Sequence, residues 1–297
     1  MADTFHRRRI RVLDSYISYI DTRAGEHTFV LLHGNVASNY VWRDVIPAIH
    51  GYGRCLAPDL LGMGNSGLSP NNEYGYETQY RYISEWLELV FAGFGKRSRI
   101  FFLAHEWGTA LAMRWASVYP HRTAGIAFME GIFSPIRCLE DINSKLMQKL
   151  WVMVRNHLNQ MGKYPHSIGL QKEKQFKLAV SNILAAWAPE NGLKEDFAQH
   201  AIVDLIRDLP IRKQGSDDVI EVMVKVNRSI SRSSIAMLLL EADQGVFSAV
   251  GVDECRRWSN VKVLTMTSRA VPPESCPETV AQHFVRFVKT VAPKLTD

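Results

Sequence analysis

The chain has 297 residues, of which 46% are hydrophobic and 22% charged, with a formal net charge of +5. That length holds two average domains or one large α/β domain with an insertion, and the composition suits a sizeable core. No segment approaches the roughly 18 uninterrupted apolar residues of a membrane span, and no basic stripe interleaved with aromatics suggests nucleic acid.

Arg7, Arg8 and Arg9 have no apolar run behind them, so they read as the solvated start of a strand and not as a secretory signal. The expectation is a cytoplasmic protein with a small-molecule substrate and no membrane or nucleic-acid partner; a homodimer stays open. Cys55, Cys138, Cys255 and Cys276 are scattered, without C-x-x-C spacing, and read as isolated thiols. His157, His166 and His200 lack ligand-like spacing, so neither a metal nor another cofactor is expected.

Taken in order, Ile10 to Ile20 alternates as two short antiparallel strands, and His27 to Leu32 is an apolar strand ending in His33-Gly34-Asn35. Trp42, Val45, Ile46 and Ile49 recur at helical spacing. Arg54 to Ala57 predicts the next strand, closed by Pro58-Asp59 and a glycine-rich loop, Leu60 to Gly67, that Asp59 braces. Gln79 to Phe91 is a strongly amphipathic helix. Ile100 to Leu103 is a buried strand, a helix follows to Tyr119, and Ala124 to Met129 is a strand ending at Glu130.

From about Pro135 to Ile230 the pattern becomes helical, with breaks at Gly162, Pro165, Pro189, Gly192 and Pro210. Trp151, Phe176, Trp187 and Phe197 are candidate pocket walls there. Strands resume at Ile235 to Leu240 and Val261 to Met266, and an amphipathic helix, Glu278 to Val291, closes the chain. Strands alternating with helices predict an α/β protein with a mostly parallel, doubly wound sheet. Its core is residues 1–134 and 231–297; residues 135–230 form an inserted helical cap.

The densest signal is Ala104-His105-Glu106-Trp107-Gly108, a small-X-acid-X-Gly turn between a strand and a helix. Small residues on both sides allow a turn sharp enough to push the tip side chain over the end of the sheet, beside a helix N-terminus. The tip is Glu106.

These motifs, with Leu32-His33-Gly34-Asn35 and Ala57 to Ser66, resemble the α/β-hydrolase superfamily, and within it the haloalkane dehalogenases and their epoxide-hydrolase relatives. The resemblance covers nearly the whole chain and is faint in the cap. It implies the α/β-hydrolase fold and an oxyanion hole made by the backbone N–H groups after His-Gly and after the elbow tip. It also implies a leaving-group pair at Asn35 and Trp107, and an acid at Glu130. Glu241 and Asp243 sit where other branches place that acid, and read rather as helix caps.

Two positions depart from the family. Its nucleophile is an aspartate, where this chain has Glu106. Its histidine falls at Ala270, counted back from Pro277, and neither neighbour, Arg269 or Val271, is a histidine. His283 lies inside the last helix and reads as a packed or surface residue.

Without that base a covalent ester would persist, so a histidine-dependent dehalogenase is not expected. Two carboxyls at neighbouring strand ends under an apolar cap have their pKa values pushed apart and can act as a general acid and base. Epoxide opening, cyclisation, dehydration and isomerisation of a small, largely apolar substrate need only that. Glu106 and Glu130 are the expected acid–base residues, and Asn35 and Trp107 the substrate-binding ones. The alternatives are a ligand-binding pseudoenzyme on the same fold, and a dehalogenase or epoxide hydrolase carrying inactivating substitutions.

Overall fold

A computed structural model describes residues 5–23, 25–35, 37–92, 98–163, 198–247, 251–269 and 271–295. Eight strands form one sheet in the order β1-β2-β4-β3-β5-β6-β7-β8. They are β1 (His6–Val12), β2 (Ser15–Asp21), β3 (His27–Leu32), β4 (Gly53–Pro58), β5 (Ile100–His105), β6 (Thr123–Met129), β7 (Ala236–Ala242) and β8 (Val261–Met266). β2 pairs antiparallel with both β1 and β4, and the pairs from β4 through β8 are parallel. This is the α/β-hydrolase fold expected from the sequence.

The two-residue period of a strand explains how both faces are covered. On β5, Ile100, Phe102 and Ala104 join a core with Trp86 and Leu87 of α2 (Tyr76–Phe91) and with Trp115 of α3 (Trp107–Val118). Phe101 and Leu103 point to the other face, toward Trp42, Ile46 of the single turn α1 (Ile46–Ile49), and Phe284 of the last long helix. A parallel sheet buried on both faces gives the near-continuous apolar strands seen in the sequence.

Between β6 and β7 the regular elements among the described residues are helical. They include α4 (Lys145–Lys163), α5 (Ala198–Arg207) and α6 (Asp217–Ile230). α4 runs through Gly162, so the helix is not broken at that glycine. An isolated parallel bridge, Ile136 to Ile211, ties the start of this β6–β7 segment to the α5–α6 connection. After β7 come α7 (Val252–Cys255), α8 (Pro272–Ser275) and α9 (Pro277–Val291). Pro165, Phe176, Trp187, Pro189, Gly192 and Phe197 lie outside the described residues.

Two expectations are corrected. Trp42 to Ile49 is not one helix but a 3-10 turn, Asn39–Trp42, followed by α1. Pro47 has no N–H to continue an α-helical ladder, and Val45 and Ala48 bond three residues back instead. α2 begins at Tyr76, three residues before Gln79. Its N-cap, Gly75, offers no side chain, and the Tyr76 N–H is satisfied by Asp208 Oδ2 at 2.8 Å, 132 residues away in sequence. No local pattern could signal that cap. Arg7 and Arg8 do lie on β1, but as partners of the buried Asp59 and Asp21. All four cysteines are free thiols.

Candidate active site

β5 ends at His105, α3 starts at Trp107, and Glu106 makes the whole turn between them with φ 52° and ψ −119°. A non-glycine residue in such a conformation costs about 1–3 kcal/mol and persists only where its surroundings over-determine it. Here its N–H donates to the Met129 carbonyl (3.1 Å). Its own carbonyl accepts from Thr109 (3.0 Å) and Ile132 (3.2 Å). Gly108 is needed because a Cβ there would fall on the Leu32 and His33 carbonyls.

The Glu106 carboxyl is buried and turns back toward the end of β3. The Asn35 N–H donates to its Oε2 in a short hydrogen bond, and the Trp107 N–H also donates to the carboxylate. These are the two N–H groups to which the resemblance assigns an oxyanion hole, and here both are taken up by the Glu106 carboxyl. A Cβ at Gly34 would overlap the Glu106 side chain, which explains a glycine in His33-Gly34-Asn35. Burial pushes the Glu106 pKa up to about 8; the Asn35 and Trp107 N–H groups oppose the rise, and the Glu130 charge adds to it.

Glu130 stands at the end of β6, also at positive φ (51°), and is 1% exposed. Its Oε2 accepts from the backbone N–H groups of Val246 (2.5 Å) and Phe247 (2.9 Å) in the connection after β7. The structure thus brings Glu106 and Glu130 to neighbouring strand ends, with Asn35 and Trp107 against Glu106. The Asn35 side-chain amide donates to the Ile202 carbonyl of α5 (3.1 Å). Trp107 is buried, its ring tilted over Tyr76 at 5.5 Å.

The other candidates fall into place around this centre. His33 is fully buried; its Nδ1 bonds the Gly34 carbonyl (2.7 Å) and its Nε2 accepts from the Leu60 N–H (2.9 Å). Burial, together with nearby His105, lowers its pKa to about 4, so it is a neutral brace between two loops. Asp59 accepts from the Asn39 and Asn65 N–H groups and from Arg7, bracing the glycine-rich loop as expected. Burial raises its pKa to about 6.

Glu241 and Asp243 do not cap the helix that follows. Glu241 takes Arg256 and Thr265, and Asp243 takes the Ser268 N–H, while Gly251 is the N-cap of α7. Glu241 is taken up by side chains and Asp243 by a loop N–H group. His283 lies on α9 and lines an open groove with Tyr52, Arg286 and Lys289, apart from the elbow. Ala270 lies outside the described residues. Among the described residues no three His, Cys, Asp or Glu side chains converge as a metal site, and no helix is long and apolar enough to cross a membrane.

Sequence reasoning missed the backbone partners: Val246 and Phe247 for Glu130, and Ile202 for Asn35. Their contribution is a peptide group, which carries no side-chain signature.

Residues 27–161 match the model of the α/β hydrolase fold family. The chain is 27% identical over 296 residues to a coelenterazine h 2-monooxygenase of Renilla reniformis, covering 96% of this chain and 91% of that one. It is 29% identical over 252 residues to a haloalkane dehalogenase of Mesorhizobium japonicum, covering 80% and 76%. Among solved structures, haloalkane dehalogenase DbeA from Bradyrhizobium elkani superposes with a TM-score of 0.77 at 23% identity, over 98% of this chain and 99% of that one. The chain has the α/β-hydrolase fold, and over most of its length it resembles the haloalkane dehalogenases.

Proposed function

We propose that this protein is an enzyme that acts on a small, largely apolar organic molecule by carboxyl acid–base chemistry, with Glu106 as the proton donor. The observation that carries this reading is the state of Glu106: a buried carboxyl with a pKa of about 8, protonated at neutral pH, whose ionised form has two backbone donors waiting.

In this reading Glu106 passes its proton to a substrate oxygen, such as that of an epoxide, as the C–O bond breaks. The negative charge then develops on Glu106, and the Asn35 and Trp107 N–H groups stabilise it there. In a histidine-dependent route the same donors would serve an oxyanion of the substrate or ester. Water or a hydroxyl of the substrate attacks the carbon and gives up its proton to a carboxylate. Glu106 or the adjacent Glu130 receives it, which closes the proton balance. The named relatives are enzymes of haloalkanes and of coelenterazine h, which supports a small organic substrate. The missing histidine argues against turnover through a hydrolysed ester.

The test is a panel of epoxides and unsaturated alcohols, with products followed by mass spectrometry for the wild type and Glu106→Gln. The expected result is a loss of about 10²–10⁴-fold on substitution, with the wild-type rate declining above pH 8. Equal rates for the two proteins would refute it.

A ligand-binding protein is the second reading, favoured by the way Glu130 is taken up by the Val246 and Phe247 N–H groups as a structural anchor. In that case a bound compound would be recovered unchanged.

A further inference from the structure

We infer that Asn35 is a positioning residue that latches α5 of the insertion over Glu106, and that access to Glu106 opens by parting the Asn35–Ile202 hydrogen bond. The inference does not depend on the chemistry Glu106 performs. Asn35 holds a carboxyl and a helix with different atoms. Its backbone N–H donates to Glu106, and its side-chain amide donates to the Ile202 carbonyl. One residue therefore separates the acid from α5.

The rest of the seam shows why this bond is the one that parts. Further along α5, Asp204 Oδ2 accepts the Tyr74 N–H (2.9 Å), and just past the end of the helix Asp208 Oδ2 accepts the Tyr76 N–H (2.8 Å). Asp204 and Asp208 are one turn apart and lie on one side of the helix. Arg207 pairs with both of their other oxygens at 2.9 Å. The C-terminal half of α5 is thus pinned by two charge-assisted hydrogen bonds, which are roughly twice as strong as neutral ones. Among the described residues, the end nearer Glu106 is held across the seam by a neutral amide–carbonyl bond and by apolar contact of Ala201 and Ile202, both fully buried. α5 pivots about Asp204 and Asp208 when that bond breaks. A carbonyl or ether oxygen of an entering ligand can replace Ile202 as the acceptor for Asn35.

The test compares wild type with Asn35→Ala and Asn35→Ser, the serine being too short to reach Ile202. Both keep the backbone N–H that holds Glu106. The first readout is labelling of Glu106 by a water-soluble carbodiimide at pH 6, read by peptide mass spectrometry. Glu130 is the internal control, being equally buried but anchored on a different loop. The second readout is amide hydrogen exchange across residues 198–207.

Both variants are expected to label Glu106 at least about tenfold faster and to exchange faster at the start of α5, with Glu130 labelling unchanged. Unchanged Glu106 labelling in a folded variant overturns the inference. So does an equal rise at Glu106 and Glu130, which would mean general loosening. Should neither variant fold, wild-type exchange decides alone. Faster exchange before Asp204 than after it supports the pivot, and uniform exchange along α5 overturns it.

Discussion

One methylene separates glutamate from aspartate, and at position 106 it moves the carboxyl back among the N–H groups of Asn35 and Trp107. The result is a carboxyl whose folded-state pKa, about 8, lies above its ordinary 4.5. Across that interval the folded chain holds a proton that the unfolded chain has lost, so this group's contribution to stability falls as pH rises from about 4.5 through 8. Glu106→Gln removes the titration. Its stability relative to wild type is expected to rise with pH over the same interval, by up to about 1.4 kcal/mol per unit, in urea unfolding measured at a series of pH values.

His33 works in the opposite sense. Its pKa is lowered by burial to about 4, so the unfolded chain binds the extra proton between about 4 and 6.5, and its contribution is lost as pH falls through that range. His33→Gln should flatten this acid limb.

At this scale the tip residue and its neighbour were legible, because small-X-acid-X-Gly and the strand ending at Glu130 are side-chain patterns. Where the Glu106 carboxyl points was not legible, since it is decided by two peptide N–H groups and the absence of a Cβ at Gly34. Gly34→Ala puts a methyl on that carboxyl. The expected cost is about 1–3 kcal/mol, read by thermal unfolding, and the cost should shrink in the Glu106→Gly background.

Among the elements, most of those marked by an apolar repeat were read correctly, while the start of α2 and the Trp42 to Ile49 stretch were not. β3, β8 and α9 follow the apolar repeat closely, because each packs one face or both against the sheet. The start of α2 depends on Asp208, and the split of Trp42 to Ile49 depends on a missing proline N–H. If Asp208 is the remote N-cap of α2, Asp208→Ala should destabilise the fold by about 1 kcal/mol, and Asp208→Asn, which keeps an acceptor, by less. Chemical denaturation of the two variants separates them. Equal losses would assign the effect to the Arg207 ion pair instead.

For the whole molecule, the fold was legible because a parallel sheet buried on both faces leaves an unmistakable alternation of apolar strands and amphipathic helices. The packing of α5 near Glu106 was not, since it follows from contacts such as Asn35 with Ile202 that no local repeat encodes. The two cores differ in what they support. Phe284, fully buried and edge-on to Phe29 at 5.0 Å, belongs to the face away from the α2 and α3 core. Phe284→Ala should cost about 3–5 kcal/mol in global stability and leave the Glu106 titration where it is.

That titration tests the central claim most directly, and it needs no substrate. Carbon-13 NMR of the side-chain carboxyls, with the Glu106 signal assigned by its loss in Glu106→Gln, follows one resonance from pH 4 to pH 10. A midpoint near pH 8 is the predicted result: an uncharged acid at neutral pH, lodged between the Asn35 and Trp107 N–H groups. A midpoint near 4.5 would make Glu106 an ordinary carboxylate and contradict the assignment of proton donor.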